Sequence, residues 1–454
     1  MAEETAEQHE KFIRMTTQPV EKLVLKMSGP TIISMLVTAF YNLVDTIFCG
    51  HLDTQSPAAI GVAFSYMAII QAFGFYFGHG SGNYISLKLG EKNYDEAGKM
   101  ASTGFITAFG CGVIIGIVGL CILEPFAKFL GATPTVLPYA VKYLRYIMIG
   151  SPFILTSFVL NNQLRLQGNT MLAMVGLVSG ALLNVILDPI FIFGLKMGVE
   201  GASLATAISQ VTSFCMLLWG TTRKDIIHIK AKNFTPTKKM YRNMVAGGLP
   251  SLGRQGLAGI AMLLLNRAVS IYGDSALAAF AVVNRIVMIE YASLLGFGQG
   301  FQPVCGFNYG AKLYKRVDDA FSYTLKMGGL IFSSLGIVNI FLAPQLIMVF
   351  RSEDAELIRI GAATLRWQSL AFPAISFICI CSMLLQTINR AVPATILAIT
   401  RQGIVFIPIL LTLGHFFGLL GLQLTQPVAD VISFAIAYIF YRNWRIGFGL
   451  LEKG

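Results

Sequence analysis

The chain has 454 residues, of which 55% are hydrophobic and only 13% are charged, and its mean hydropathy is +0.67. This composition excludes an ordinary soluble globular protein and predicts a polytopic membrane protein. The formal net charge of +11 could suggest nucleic-acid binding, but the charges follow a topological pattern that argues against it. The seven cysteines fall inside apolar runs without the spacing of a metal site or a disulfide framework, so we interpret them as small buried hydrophobic residues.

About twelve apolar runs of roughly 20 residues follow one another, and each is long enough to cross a hydrocarbon core. The alternating pattern of a barrel is absent, so the spans are predicted to be helices. The predicted spans are 28–49, 58–82, 101–123, 143–163, 171–193, 201–222, 245–271, 277–300, 320–348, 361–386, 394–414 and 422–441.

Lysine and arginine collect in every second connection between these spans, most densely between Thr221 and Asn243. The positive-inside rule therefore predicts an even number of spans with both termini in the cytoplasm. The polar start of the chain does not resemble a signal peptide. We predict a cytosolic leader (1–27), a first six-helix bundle (28–222), a cytosolic linker (223–244), and a second six-helix bundle with a short cytosolic tail (245–454).

The two halves contain a repeat with a constant offset of about 220 residues. The segment ISLKLGEKNYDEA begins at Ile85, and CGFNYGAKLYKRV begins at Cys305. Gly90, for example, aligns with Gly310. Because an even number of spans separates the copies, the repeat is predicted to be parallel, with an axis along the membrane normal, as in many transporters.

Asp188 is an acid inside an apolar run and is followed directly by Pro189. A carboxylate at membrane depth is unfavourable unless something offsets it, so it suggests a functional site. Asn184 lies one helical turn earlier on the same face. Pro189 is predicted to kink the helix and to free the carbonyl of Val185. Together these groups suggest a site for a hard cation with oxygen ligands.

Asp45 in the first span and Thr206 in the sixth are predicted to lie at a depth similar to that of Asp188, about 8 to 9 Å below the outer boundary. Asn184 lies about one turn deeper. Two nearby carboxylates in a low dielectric cannot both ionise cheaply, so protons or sodium ions would compete for them. The alternative is that the two acids are hydrogen-bonded structural residues and that Asn184 and Thr206 tie membrane helices together.

Four runs make the resemblance to a known family specific: GQGFQPVCGFNYGAK from Gly298, LQGNTMLAM from Leu166, LLNVILDPIFIFGLKMGVEGASLAT from Leu182 and RQGIVFIPILL from Arg401. The chain resembles multidrug and toxic compound extrusion (MATE) transporters, and within them the MepA-like bacterial branch. The resemblance implies an all-α membrane fold with twelve transmembrane helices in two pseudo-symmetric six-helix bundles forming a V.

The resemblance also implies roles for individual residues. The positions matching Asp45, Asn184, Asp188 and Thr206 line a cation site in the first bundle of similar proteins, for sodium or protons. Tyr143 is similar to a further family residue of that bundle. A substrate cavity for flat organic cations is predicted from aromatic and methionine side chains; its candidates are Tyr41, Phe64, Met67, Tyr143, Phe153, Phe158, Met262, Met288 and Phe301.

The second half lacks acids at the matching positions, near Leu265 and Ile409, but carries other charges in or near its spans. We expect structural pairing, for example of Arg285 with Glu290; the remaining charges are Arg254, Arg267, Arg366 and Asp430. The glycine-rich run GHGSGN (78–83) lacks the Lys-Ser/Thr of a phosphate loop, so helix packing is the better interpretation. We interpret its His79 as a packing or interfacial residue.

We therefore expect a secondary active antiporter that exports cationic, aromatic small molecules in exchange for sodium ions or protons. The alternative is a lipid-precursor flippase of the wider superfamily. No catalytic set, metal cluster or nucleotide motif is visible in the sequence, so we predict neither an enzyme nor a cofactor. We expect a monomer without nucleic-acid partners, in a bacterial or archaeal plasma membrane.

Overall fold

The structure is a computed structural model, and it describes residues 5–50, 55–350 and 354–450, without the side chains of 41–47, 49 and 50. All regular structure in these ranges is helical. The helices of the first half are α1 (Ala6–Thr17), α2 (Val20–Gly50), α3 (Gln55–Gly90), α4 (Tyr94–Cys121), α5 (Leu123–Phe129), α6 (Leu137–Leu166), α7 (Thr170–Pro189) and α8 (Val199–Gly220). The helices of the second half are α9 (Lys238–Ser270), α10 (Asp274–Gly310), α11 (Tyr314–Met348), α12 (Ala355–Leu370), α13 (Phe372–Thr387), α14 (Ala391–Ile399) and α15 (Phe406–Gly447).

The fold contains twelve transmembrane helices, as the sequence predicts. In the described ranges, nine helices are each long and apolar enough to span a membrane, or ten if the bent pair α12 and α13 forms one span. Helix α9 is less apolar, because it carries Arg254 and Arg267 within its length. The continuous segment Ala391–Gly447 contains two spans, because the backbone of Gly418 is not helical. These two adjustments complete the set of twelve.

The helices form two bundles with the same internal packing. In the first bundle (α2–α8), α3 and α4 pack against α6, α6 packs against α8, and α2 packs against α7. In the second bundle (α9–α15), α10 and α11 pack against α12, α12 packs against α15, and α9 packs against α14. The equivalent helices therefore make equivalent contacts. Two copies of one six-helix unit explain both the number of predicted spans and the repeated packing.

Backbone geometry repeats with the offset of the sequence. Lys92 and Lys312 both have a positive φ, at 57° and 61°. Gly198 (φ 57°, ψ −133°) and Gly418 (φ 58°, ψ −134°) adopt the same conformation, which only glycine adopts without strain. Gly198 precedes α8, so its partner Gly418 marks the equivalent boundary inside α15.

The two bundles touch closely at one end of the molecule. Gly90 and Gly310 face each other, and a methyl group on either one would collide with the other helix. The Ser28 hydroxyl donates a hydrogen bond to the Phe297 carbonyl at 3.0 Å, and the Thr31 hydroxyl donates one to the Gly296 carbonyl at 2.6 Å. Small residues thus let the helices of opposite bundles approach, as is typical of membrane proteins.

The first and last described residues lie at this same end. The short helix α1 contacts the connection that follows α8 through Lys11, whose ammonium lies 2.7 Å from an Asp225 carboxylate oxygen. It contacts the second bundle through Asn308, whose amide donates to the Met15 carbonyl at 3.0 Å. Burial raises the pKa of Asp225 and the Lys11 ammonium lowers it, and the net shift is downward. Near the other terminus, the Phe448 ring lies 4.3 Å from that of Tyr314.

Several predicted boundaries differ from the observed helices; for example, α3 and α10 continue to Gly90 and Gly310, beyond their predicted ends at 82 and 300. Helix α2 begins at Val20, within the predicted leader, and α9 begins at Lys238, within the predicted linker. Both helices therefore extend beyond their apolar spans towards the end with the termini. The Thr237 hydroxyl accepts a hydrogen bond from the Met240 amide and so caps α9. A helix start set by such a cap is not visible in the apolar pattern alone.

Candidate functional site

Three of the four predicted cation-site residues meet inside the first bundle. The Asn184 amide nitrogen donates to an Asp188 carboxylate oxygen at 3.2 Å and lies 3.3 Å from the Thr206 hydroxyl. The relative exposures are 0% for Asp188, 2% for Asn184 and 3% for Thr206. Helix α7 supplies the acid and the amide one turn apart, and α8 supplies the hydroxyl. The sequence predicted that these residues lie at similar depths in the membrane. The contact between their helices was implied only by the resemblance.

The fourth predicted residue, Asp45, lies on α2, which packs against α7. Its side chain, like that of Tyr41, is outside the described residues. The described ranges contain no group of three or more His, Cys, Asp or Glu residues that could hold a metal ion. The oxygens of Asp188, Asn184 and Thr206 nevertheless form a donor set that suits a hard cation. The Asn184 carbonyl oxygen is buried and has no hydrogen-bond partner among the described residues, so a ligand position is available there.

The helix geometry changes immediately after Asp188. Helix α7 ends at Pro189, and Ile190–Gly194 form a π-helical turn. Proline removes one backbone donor, and π turns often occur beside functional sites. On the other side of the turn, Gly201 of α8 packs so closely on Phe191 that a methyl group would not fit. The acid therefore lies at the junction between regular helix and a wider turn.

A cavity of about 730 Å³ adjoins this site. Asn184 and Thr206 line it, and Asp188 lies behind them. Its other walls come from α2, α3, α6 and α10. On α2, α3 and α10 the cavity residues lie on the far side of the bundle contact described above, away from the termini. The cavity is therefore closed by the touching bundles at the end that carries the termini.

The aromatic and methionine candidates divide into two groups. Phe158 and Met288 line the cavity, as do Phe64 and Met67. Three other candidates for this cavity do not line it, which corrects the sequence prediction. Tyr143 is 4% exposed and part of the core, the Phe153 ring packs 5.3 Å from that of Phe214, and Met262 is 39% exposed on α9.

Phe301 also belongs elsewhere. It is fully buried, and its ring lies 6.4 Å from that of Phe321 inside the second bundle. The sequence could not separate these groups, because helices that are apolar on all sides do not disclose which face is turned inward.

A buried arginine that was not identified from the sequence lies between the bundles. Arg165 is 1% exposed. Its guanidinium donates to the Gln302 side chain at 2.7 Å, to the Gln299 carbonyl at 2.9 Å and to the Asn162 side chain at 2.6 Å. It also lies 3.2 Å from a ring nitrogen of His79. In the sequence it counted only as one of the cytoplasmic charges that define the topology.

His79 extends this network into the second bundle. Its other ring nitrogen lies 3.1 Å from the Ser251 hydroxyl, and the Gln386 amide donates to that hydroxyl at 2.7 Å. His79 is therefore a polar link between bundles as well as a packed residue, with its ring stacked 5.4 Å from that of Phe75. Neutral side chains and a carbonyl bind the two terminal nitrogens of the buried guanidinium, while its Nε has no partner among the described residues, and the network connects the two bundles.

The charges of the second bundle are paired differently from the prediction. Glu290 accepts a hydrogen bond from Asn339 at 3.0 Å, whereas Arg285 lines the cavity, so the expected pair of Arg285 and Glu290 is not formed. Residues five apart on a helix point in different directions, which explains the error. Asp430 is fully buried and lies 2.7 Å from the Arg401 guanidinium. Its partner comes from another helix and could not be read from the sequence.

The positions that match the cation site are apolar in the second bundle. Leu265 is 8% exposed and belongs to a core cluster with Phe280 and Phe406, and Ile409 is partly buried against this cluster. The region therefore contains a packed core in place of a polar cavity. Only the first bundle carries a site of this kind within the described residues.

Comparisons with known proteins agree with this architecture. The family model described as MatE matches residues 30–190 and 250–412, one block in each half. The multidrug export protein MepA of Staphylococcus haemolyticus (strain JCSC1435) is 29% identical over 425 residues, which cover 92% of this chain and 93% of that protein.

Two solved structures have the same fold. A crystal structure of MATE in complex with MaL6 matches with a TM-score of 0.90 and 25% identity, covering 97% of this chain and 99% of that one. The outward-facing conformation of a multidrug resistance MATE family transporter of the MOP superfamily matches with a TM-score of 0.90 and 25% identity, covering 99% and 100%. The family model spans more than half of the chain, and the chain therefore belongs to the MATE family of membrane transporters.

Proposed function

We propose that this transporter exports drug-like organic molecules in exchange for inward movement of sodium ions or protons. The observation that supports it most directly is the position of Asn184, which contacts the buried Asp188 and also lines the cavity. The name of the MepA relatives agrees with multidrug export. The charge pattern supports a plasma-membrane orientation with both termini in the cytoplasm, so that the cavity faces outward.

Asp188 is the cation acceptor in this proposal, with Asp45 as the predicted second carboxylate. A proton or sodium ion arriving from outside neutralises the buried carboxylate, because a negative charge at membrane depth is unfavourable unless a positive charge offsets it. Sodium would draw the free Asn184 carbonyl oxygen towards itself. Because the same side chain lines the cavity, occupation of the cation site changes the cavity wall and weakens drug binding. Coupling of this kind requires that each ligand favours a different arrangement of one shared group.

The test measures drug efflux from proteoliposomes under a pure inward sodium gradient and then under a pure pH gradient. We expect one gradient to drive efflux in the wild type and Asp188→Asn to reduce that efflux to the passive leak. Asn184→Ala and Thr206→Val should raise the sodium concentration for half-maximal efflux if sodium drives transport. The matched control is Ser203→Ala on α8, since the Ser203 hydroxyl is buried but bonds to the Glu200 carbonyl.

Two results would contradict the proposal. Gradient-driven efflux at the wild-type rate in Asp188→Asn would show that Asp188 does not couple cation movement to export. A wild type that exports no drug under either gradient would favour the alternative, a lipid-precursor flippase.

A further inference from the structure

Among the described residues, a single arginine of the second bundle faces the cavity. Arg285 on α10 is exposed and lines the cavity beside Met288. Among the described residues it has neither an ion-pair nor a hydrogen-bond partner, because Glu290 bonds to Asn339 instead. An unpaired guanidinium at membrane depth is unfavourable, so such residues mark pathways for substrates or ions. A ligand that completes its hydrogen bonds would remove that penalty.

The arginine lies at the depth of the first bundle's polar wall. At 1.5 Å per residue, Arg285 and Asn184 lie roughly 16 and 15 Å along their helices from Asp274 and Gly194, which are at the same end of the molecule. The two side chains therefore line the cavity at matching depth, one on each bundle. A molecule in the cavity can contact both at once.

Arg285 is the charged member of the described lining, and the other polar groups there are neutral. Amides such as Gln71 and Gln210 and the hydroxyl of Ser209 alternate with apolar surfaces from Phe64 and Phe158. Asp188 is fully buried and is not part of the lining. A substrate in the cavity therefore meets a guanidinium directly, whereas the amide of Asn184 separates it from the carboxylate.

We propose that Arg285 determines substrate specificity by binding a carboxylate on the transported molecule. The inference rests on the proposed export function and names its substrate class, flat apolar compounds that carry a carboxylate, either anionic or zwitterionic. A planar guanidinium binds a carboxylate through two parallel hydrogen bonds, and the aromatic surfaces take up the apolar body. The sequence had suggested cationic substrates, and the charge of the described cavity lining favours the opposite.

The experiment compares binding of three probes to the purified transporter in detergent by fluorescence titration. The probes are norfloxacin, which has a carboxylate, its methyl ester, which has the same ring system without that charge, and ethidium, a permanent cation. We expect the wild type to prefer the acid over the ester by roughly tenfold or more, as for a charge-assisted bidentate contact. Arg285→Gln should abolish this preference and leave ester binding unchanged.

Two variants control for non-specific effects. Arg285→Lys keeps the charge without the bidentate geometry and should retain part of the preference. Arg267→Gln removes an exposed arginine of α9 that does not line the cavity and should leave all three affinities unchanged. Ethidium should bind Arg285→Gln at least as tightly as the wild type, because a like charge has been removed.

The outcomes separate this inference from the export function. An acid-to-ester ratio that is near one in the wild type, or the same in wild type and Arg285→Gln, overturns the role of Arg285 even if ethidium is exported normally. Loss of all gradient-driven efflux contradicts the export function, while the binding ratios still decide the role of Arg285. A short-chain phosphatidic acid is included as a fourth probe; if Arg285→Gln weakens only its binding, a lipid phosphate replaces the carboxylate and the proposal is wrong.

Discussion

The interiors of the two bundles differ although their helices pack in the same way. In the first bundle, Asn184 and Thr206 border a cavity and connect it to Asp188. At the matching place in the second bundle, Leu265 is buried in an apolar cluster and Ile409 packs against it. Helix packing is thus preserved between the copies, whereas the chemistry of the interior is not.

The two fully buried acids in these bundles differ in the same way as the interiors around them. Asp430 in the second bundle has the guanidinium of Arg401 at 2.7 Å, so its counter-charge is permanent. Asp188 in the first bundle accepts a hydrogen bond from the Asn184 amide, and Asn184 also borders the cavity, so the proposed function assigns it a mobile cation. A buried carboxylate paired with an arginine and one that adjoins an open cavity are therefore expected to have different roles.

The strongest way to test this contrast is to neutralise each acid in turn. Asp430→Asn leaves the Arg401 guanidinium buried without its carboxylate, so we expect a loss of about 3 to 5 kcal/mol in the free energy of unfolding. Asp188→Asn should change it by less than about 1 kcal/mol while abolishing coupled efflux. Thermal unfolding of both variants in detergent measures the difference, and equal losses would refute the division into a structural and a functional acid.

The second test removes one leucine from each interior. Leu265→Ala creates a cavity in the packed core of the second bundle and should reduce stability by about 2 to 5 kcal/mol. Leu177 already borders the open cavity, so Leu177→Ala should reduce stability by only about 1 kcal/mol, since fewer contacts are lost. Denaturation midpoints measure the stability of the two variants. A larger loss in Leu177→Ala than in Leu265→Ala would contradict the assignment of the cavity.

The third test addresses what the bundles share. Gly198→Ala and Gly418→Ala each force a side chain into the same glycine conformation and should each reduce stability by about 1 to 3 kcal/mol. A methyl group at Gly418 would also meet the Tyr272 hydroxyl at 3.2 Å, so its effect should be slightly larger. Gly110→Ala on α4, where no neighbour lies within 4 Å, is the control and should stabilise the protein slightly. Strongly unequal losses of stability in Gly198→Ala and Gly418→Ala would contradict the structural repeat.

Much of the architecture could be predicted from the sequence. Span lengths, the charges of alternate connections and the offset of 220 residues depend on local composition, which is readable without tertiary structure. Depth along a helix is also readable, which is why Asn184, Asp188 and Thr206 were grouped correctly. Asp45 remains a prediction, since its side chain is outside the described residues.

Rotation about the helix axis could not be predicted. The cavity candidates Tyr143, Phe153 and Met262 lie on apolar helices, where no polar face indicates the orientation. Arg165 was missed because its partners Gln299 and Gln302 are more than a hundred positions away in the sequence. Pairs between helices, such as Arg401 with Asp430, likewise depend on packing that a single sequence does not disclose.

The contacts of helix α1 matter for anyone who shortens the chain for expression or crystallisation. It is a single rigid segment whose Lys11 holds Asp225 of the first half, and the Arg316 guanidinium of the second half donates to the Gln18 carbonyl at its end. A rearrangement that separates the bundles at this end would strain these contacts and the one between Asn308 and Met15. Deleting α1 to simplify expression or crystallisation would therefore remove a resistance to opening, and a shortened protein would report altered transport kinetics even with an intact cavity.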